Sequence, residues 1–221
     1  LGSILTALPA PAAASEELKK ALVLQPGDID VQLRMVELAM RAGDVPKAMS
    51  IAAQIQKQHP KRAVGYALEG RLLQTQGKHE AAVAPLERAH ALSPSTTTVI
   101  ALHSAKSRTG KGTEADALLA QWQKTRGNDI ALQIYVAESH LAKKQYKPAI
   151  ATLESVVKAS PKNVLALNNL AWAYQQDKDA RALKTAEQAY ALSGDTPAVM
   201  DTLGWVLVEQ GNHGRGVPLL Q

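Results

Sequence analysis

Apolar side chains return along this chain in short blocks at helical spacing. Val31, Met35, Leu38 and Ala39 form one such block, and beyond Gly43 comes another, Ala48, Ile51, Ala52 and Ile55. Residues three, four and seven apart share one face of a helix, so each block predicts an amphipathic helix with a single face to bury. Glycine supplies the positive φ at a helix C-terminus, and proline halts one helix and suits the first turn of the next. A block, a glycine, a block and a proline together predict a helical hairpin, and the punctuation recurs. Pro26, Pro60 and Pro94 are evenly spaced and Pro161 falls two periods on; the turn glycines are Gly43, Gly77, Gly110 and Gly211. A column of small residues, Ala14, Ala48, Ala82, Ala115, Ala149, Ala182 and Gly216, marks every period, and a fourth column holds Ala21, Ile55, Ala89, Trp122, Val156 and Ala189. The small column belongs where the two helices of one hairpin cross, because a bulky side chain there would force them apart. Alternating strand patterns are absent. The units read 29–62, 63–96, 97–129, 130–163 and 164–196, with partial units 1–28 and 197–221, so both ends read as cuts in a longer protein. Unit 97–129 lacks its proline and one residue and is expected to be the least regular.

A period of 33 or 34 with these columns resembles the tetratricopeptide repeat, W-x2-L-G-x2-Y, then A-x3-F, then A, then P. Leu203-Gly204 stands at the L-G pair; so does Leu1-Gly2, followed by Leu5, Ala14, Leu18, Ala21 and Pro26 in the remaining slots. Tyr66 and Gly70 fill the Trp and Gly slots of one unit and Tyr174 the Tyr slot of another, while Glu69 departs from the usual Leu. The resemblance implies an all-α, right-handed superhelical solenoid of helix-turn-helix hairpins over residues 1–221. It also implies that the first helix of each hairpin lines a concave, partner-binding groove. The groove residues would be Glu37 and Arg41; Arg71 and Gln74; Asn168, Trp172 and Gln175; and Asp201 and Trp205. The Lys/Asn/Arg carboxylate clamp of chaperone-binding members is missing, since Leu33 with Glu37 and Ala101 with Ala105 stand at such slots. Trp172 and Trp205 share one slot of successive first helices and admit two readings: core between those helices, or a platform lining the groove.

The stretch LNNLAWAYQQ and the residues from Asp195 to Gln221 resemble the C-terminal part of tetratricopeptide lipoproteins of the PEP-CTERM protein-sorting and exopolysaccharide system. That resemblance implies a non-catalytic scaffold in a periplasmic, envelope-associated assembly. The alternative is the docking region of a longer enzyme such as a glycosyltransferase.

Composition agrees with helices: 46% of the 221 residues are hydrophobic, Phe is absent, and the aromatics are three Trp and five Tyr. Without cysteine there is neither disulfide nor thiolate metal site. The net charge of +5 comes from scattered Lys and Arg, not from the basic stripe with stacking aromatics that nucleic acid requires. No apolar stretch approaches the roughly 18 residues of a membrane span. The opening LGSILTALPAPAAAS lacks the basic flank of a signal peptide and is broken by Pro9 and Pro11. Ala105 to Gly112, AKSRTGKG, imitates a phosphate-binding loop, but Gly112 replaces the Ser or Thr that would hold magnesium. The six histidines lack zincin spacing, and His79 and His213, just past turn glycines, read as solvated. No nucleophile elbow accompanies the serines. The reading is therefore no catalytic residue, no metal and no cofactor. The expected partner is a protein or peptide, with polysaccharide stacked on the tryptophans as a further option.

Overall fold

A computed structural model describes residues 18, 20, 23–25 and 27–221, which form helices and turns with no strand among them. The half-hairpin expected at the N-terminus lies mostly outside the described residues. Two compact units divide the chain, one ending at Trp122 and the other beginning at Gln123. The first contains α1 (Ile29–Arg41), α2 (Val45–Gln58), α3 (Ala63–Thr75), α4 (His79–Leu92), α5 (Thr96–Ser107) and most of α6 (Gly112–Arg126). The second contains α7 (Ile130–Ala142), α8 (Tyr146–Ala159), α9 (Val164–Gln176), α10 (Ala182–Ser193), α11 (Pro197–Glu209) and the single turn α12 (His213–Gly216), followed by a 3-10 turn at Val217–Leu219. Odd-numbered helices are the first helices of hairpins and even-numbered ones the second.

Local chemistry sets the helix ends. Asp28, Asp44, Asp129 and Asn163 accept backbone N–H bonds from the first turns of α1, α2, α7 and α9, and Ser95 closes a capping box with Thr98 on α5. Each such cap contributes about 1 kcal/mol. The four turn glycines all lie at φ between 72° and 79°, and nothing stands near the place a Cβ would occupy. They serve the backbone conformation alone. The two remaining hairpin turns reach the same region with Lys144 (φ 55°) and Lys178 (φ 58°). A side chain there costs roughly 1 kcal/mol. We therefore expect Lys144→Gly and Lys178→Gly each to raise the unfolding free energy by about 0.5–1 kcal/mol, read as a higher urea midpoint at unchanged slope.

Packing explains the small column. Ala48, Ala82, Ala115, Ala149 and Ala182 are fully buried, and a Cβ on Gly216 would lie 2.7 Å from the Gly204 carbonyl oxygen. A second small slot, eight residues into the first helices, holds Gly70, Ala137, Ala171 and Gly204. A Cβ on Gly70 would meet Leu86 Cγ at 2.4 Å. In α5 this slot holds His103, which is buried and places Nε2 3.2 Å from Asp116 Oδ1 on α6.

Polar bridges join one hairpin to the next. A glutamate five residues after the small column meets the following hairpin three times: Glu87 with Lys106 (2.8 Å), Glu154 with Arg181 (2.7 Å) and Glu187 with Arg215 (2.9 Å). Arg181 and Arg215 each precede the small residue of their own hairpin. Glu114 occupies that position in α6, and there Lys106 supplies the cation, bridging Glu87 and Glu114. The Glu87 hydrogen bond raises the Lys106 pKa. The Tyr174 hydroxyl donates to Glu154 at 2.7 Å under a stacked Arg181, and burial, followed by that carboxylate, drives its pKa up. Arg181 in turn holds the half-buried Asp179 carboxyl at about 2. Glu69, where Leu is usual, accepts from Gln56 at 2.7 Å.

A histidine cluster ties α4, α5 and α6 together. His90 Nδ1 lies 3.0 Å from Thr98 Oγ1, and its ring meets Trp122 edge-on at 5.7 Å, while the Trp122 indole donates to Thr96. Burial lowers the His90 pKa below 6.5. The unfolded chain then binds the proton more readily than the folded one, so this contribution is full above about pH 6.5 and falls as pH drops below it. We expect the denaturation midpoint to drop between pH 7.5 and 5.5, and to drop less in His90→Leu.

Candidate partner-binding face

Nine residues were expected along the groove, and the structure assigns them to first-helix surfaces in both units. In the first unit Arg41 donates to Glu37 at 2.6 Å one turn away, with both side chains largely exposed. Arg71 occupies on α3 the slot that Glu37 occupies on α1, and it is exposed. Gln74 is partly buried, and its amide donates to the Ala101 carbonyl at 3.1 Å, so it joins α3 to α5.

In the second unit the same slot reads Glu138 on α7, Trp172 on α9 and Trp205 on α11. Trp172 is 38% exposed and Trp205 43%. Of the two readings open from the sequence, core filling fails: both rings reach solvent. Helical geometry places Asn168 and Gln176 one turn to either side of Trp172, and Asp201 and Glu209 to either side of Trp205. Gln175 is half-buried beside this row. The Asn168 Oδ1 atom is enclosed and has no hydrogen-bond partner. Asn169 reaches across from α9 and donates to Glu138 on α7 at 3.1 Å. The face therefore combines two aromatic rings, carboxylates and side-chain amides. Aromatic rings beside polar groups can bind an apolar side chain while the amides and carboxylates hold main-chain or cationic groups.

One element of the face was missed in the sequence. Leu165 is 52% exposed, one turn before Asn168 and Asn169 and two turns before Trp172. Glu138 was legible from register, standing one period before Trp172. His79 also differs from expectation. It is half-buried, with Nδ1 enclosed and lacking a hydrogen-bond partner, because it opens α4 and packs there; His213 is exposed as expected. Among the described residues, no group of three His, Asp or Glu could hold a metal ion, and no helix is long and apolar enough to cross a membrane.

Residues 7–72 match the family model described as tetratricopeptide repeat. A search among curated proteins finds no match. Solved structures resemble the chain at low identity. Yeast Tom70 superposes with a TM-score of 0.79 at 16% identity, covering 95% of this chain and 45% of its own. A tetratricopeptide repeat protein from Parabacteroides merdae gives 0.72 at 14%, covering 95% and 84%. YrrB, described as a tetratricopeptide protein with an unusual peptide-binding site, gives 0.51 at 14%, covering 83% and 95%. The chain thus spans less than half of Tom70. These likenesses show the fold, an all-α superhelical repeat of tetratricopeptide type.

Proposed function

We propose that this chain is a non-catalytic scaffold whose first-helix faces bind a protein or peptide partner, with the second unit as the principal site. The observation that carries this reading is the exposure of Trp172 and Trp205 in one slot of two successive first helices. Exposed tryptophans flanked by hydrogen-bonding side chains are typical interface anchors. The fold generally serves protein–protein interaction, and peptide binding is described for YrrB, which supports the assignment. Bridges such as Glu154–Arg181 between hairpins and His103–Asp116 within one hairpin are accounted for by packing, which leaves no cluster among the described residues in need of a catalytic explanation.

The test is affinity capture with the purified full chain and with a Trp172→Ala/Trp205→Ala variant, from the envelope and the soluble fraction of source cells. A partner retained by the first and lost by the second supports the reading. Equal capture by both would refute the face. We further infer a place in an envelope-associated assembly for exopolysaccharide production or protein sorting, supported by the similarity of the last two hairpins to the PEP-CTERM-linked lipoproteins. Cell fractionation with an antibody tests it, and recovery in the cytosol alone would end it.

A further inference from the structure

Resting on the reading of α7, α9 and α11 as a partner-binding face, we propose that its occupant is a cationic, apolar peptide segment. One bulky apolar side chain sits at Trp172 and Trp205, and Lys or Arg residues flank it. The first argument is charge. The three first helices of the second unit carry Glu138, Asp201 and Glu209 and no Lys or Arg. Their other titratable side chains are Tyr135, Tyr174 and His140. His140 Nδ1 is within 2.7 Å of Gln145, and Tyr174 is buried against Glu154. The cations of this unit stand on second helices, as with Lys147, Lys158 and Lys184, or in turns, as with Lys144 and Lys178.

The whole chain carries +5, so its net charge alone would draw an acidic partner. At physiological salt the screening length is about 8 Å, so a segment lying on this face responds mainly to its carboxylates. The second argument is aromatic. Indole faces attract guanidinium and ammonium groups as well as apolar side chains, and both rings reach solvent. Leu165, at 52% exposure, extends the apolar row along α9. The first unit differs at the same slots, where Arg71 stands in the tryptophan position and Glu37 is already bound to Arg41. The sign of the second-unit face is opposite to that of a clamp for C-terminal carboxylates.

Selection from a library of short random peptides displayed against the full chain tests this, with Trp172→Ala/Trp205→Ala as counter-selection. Enriched peptides are expected to carry an apolar anchor with a net excess of Lys and Arg. Synthesised singly, they should lose about tenfold or more in affinity on the tryptophan variant, the scale of an interface hot spot. They should also weaken on Glu138→Gln/Asp201→Asn, with both variants retaining wild-type circular dichroism. If the tryptophan variant does not fold, the exposed Asp201→Lys serves as counter-selection. Tryptophan-dependent peptides that are neutral or acidic would overturn the charge inference and leave the binding face standing. Peptides indifferent to the tryptophan and charge variants, or no enrichment at all, would overturn both.

Discussion

Leu153→Ala lowers the unfolding free energy by about 2–5 kcal/mol, the range for deleting a fully enclosed leucine. Leu153 has no solvent exposure and lies in the core that joins α7, α8, α9 and α10. Four residues earlier on the same helix face, Ala149 is equally buried, and the opposite change is also costly there. Ala149→Leu adds volume at the helix crossing and is expected to cost about 1–3 kcal/mol. Lys78→Ala, at an exposed position beside a turn, should remain within about 0.5 kcal/mol. Urea denaturation of the three variants provides the measurement. Equal midpoints for Ala149→Leu and Lys78→Ala would mean that the small column does not mark the crossing.

The three tryptophans should separate by role. Trp122→Ala removes the hydrogen bond to Thr96 and the contact with His90, and is expected to cost about 3 kcal/mol. Trp172→Ala and Trp205→Ala should cost about 1 kcal/mol each, near the centre of the range for single substitutions. Their larger effect falls on binding: a hot-spot loss of roughly 2 kcal/mol is about a 30-fold rise in Kd. Melting temperature and partner titration on the same samples check the division. Iodide should quench Trp172 and Trp205 in the native protein, as residual emission in single-tryptophan variants will report. A sharp fall in melting temperature for Trp205→Ala, together with no quenching of either ring, would return both to the core.

Much of the fold was legible because two constraints act on the backbone at fixed intervals. A hairpin crossing excludes side chains, which imposes alanine or glycine, and a left-handed turn favours glycine. The constraint is steric at Ala149 and conformational at Gly43. It weakens where the cost is small. Lys144 and Lys178 occupy turns of the same shape at a penalty of roughly 1 kcal/mol, so the glycine column shows gaps there although the structure repeats. His103 escaped for another reason. It fills a slot held elsewhere by glycine, alanine or valine, and Asp116 makes it acceptable from the next helix, a pairing that periodicity does not reveal. Register placed Trp172 and Trp205 in one slot without saying which way they face. The informative signal lay one turn away. Asn168 and Gln176 flank one ring and Asp201 and Glu209 the other, whereas a core slot such as Leu153 is flanked by Ala149 and Val156.

The glutamate–arginine bridges make the hairpins interchangeable. Glu154 and Glu187 stand equally far beyond Ala149 and Ala182, and Arg181 and Arg215 stand equally far before Ala182 and Gly216. Three hairpins therefore present an acidic plug, Glu87, Glu154 or Glu187, on the trailing side, and each of the last two hairpins a basic socket on its leading side, in one register. Excision of residues 164–196 would bring Arg215 to the place where Glu154 now receives Arg181, so a lineage can shorten or lengthen the array by whole periods without inventing a new junction. Between α4 and α6 the parts are different, with Lys106 seated between Glu87 and Glu114. An acidic residue there meets the plug where the later hairpins offer arginine. That junction is keyed, and it resists the exchange that the others permit.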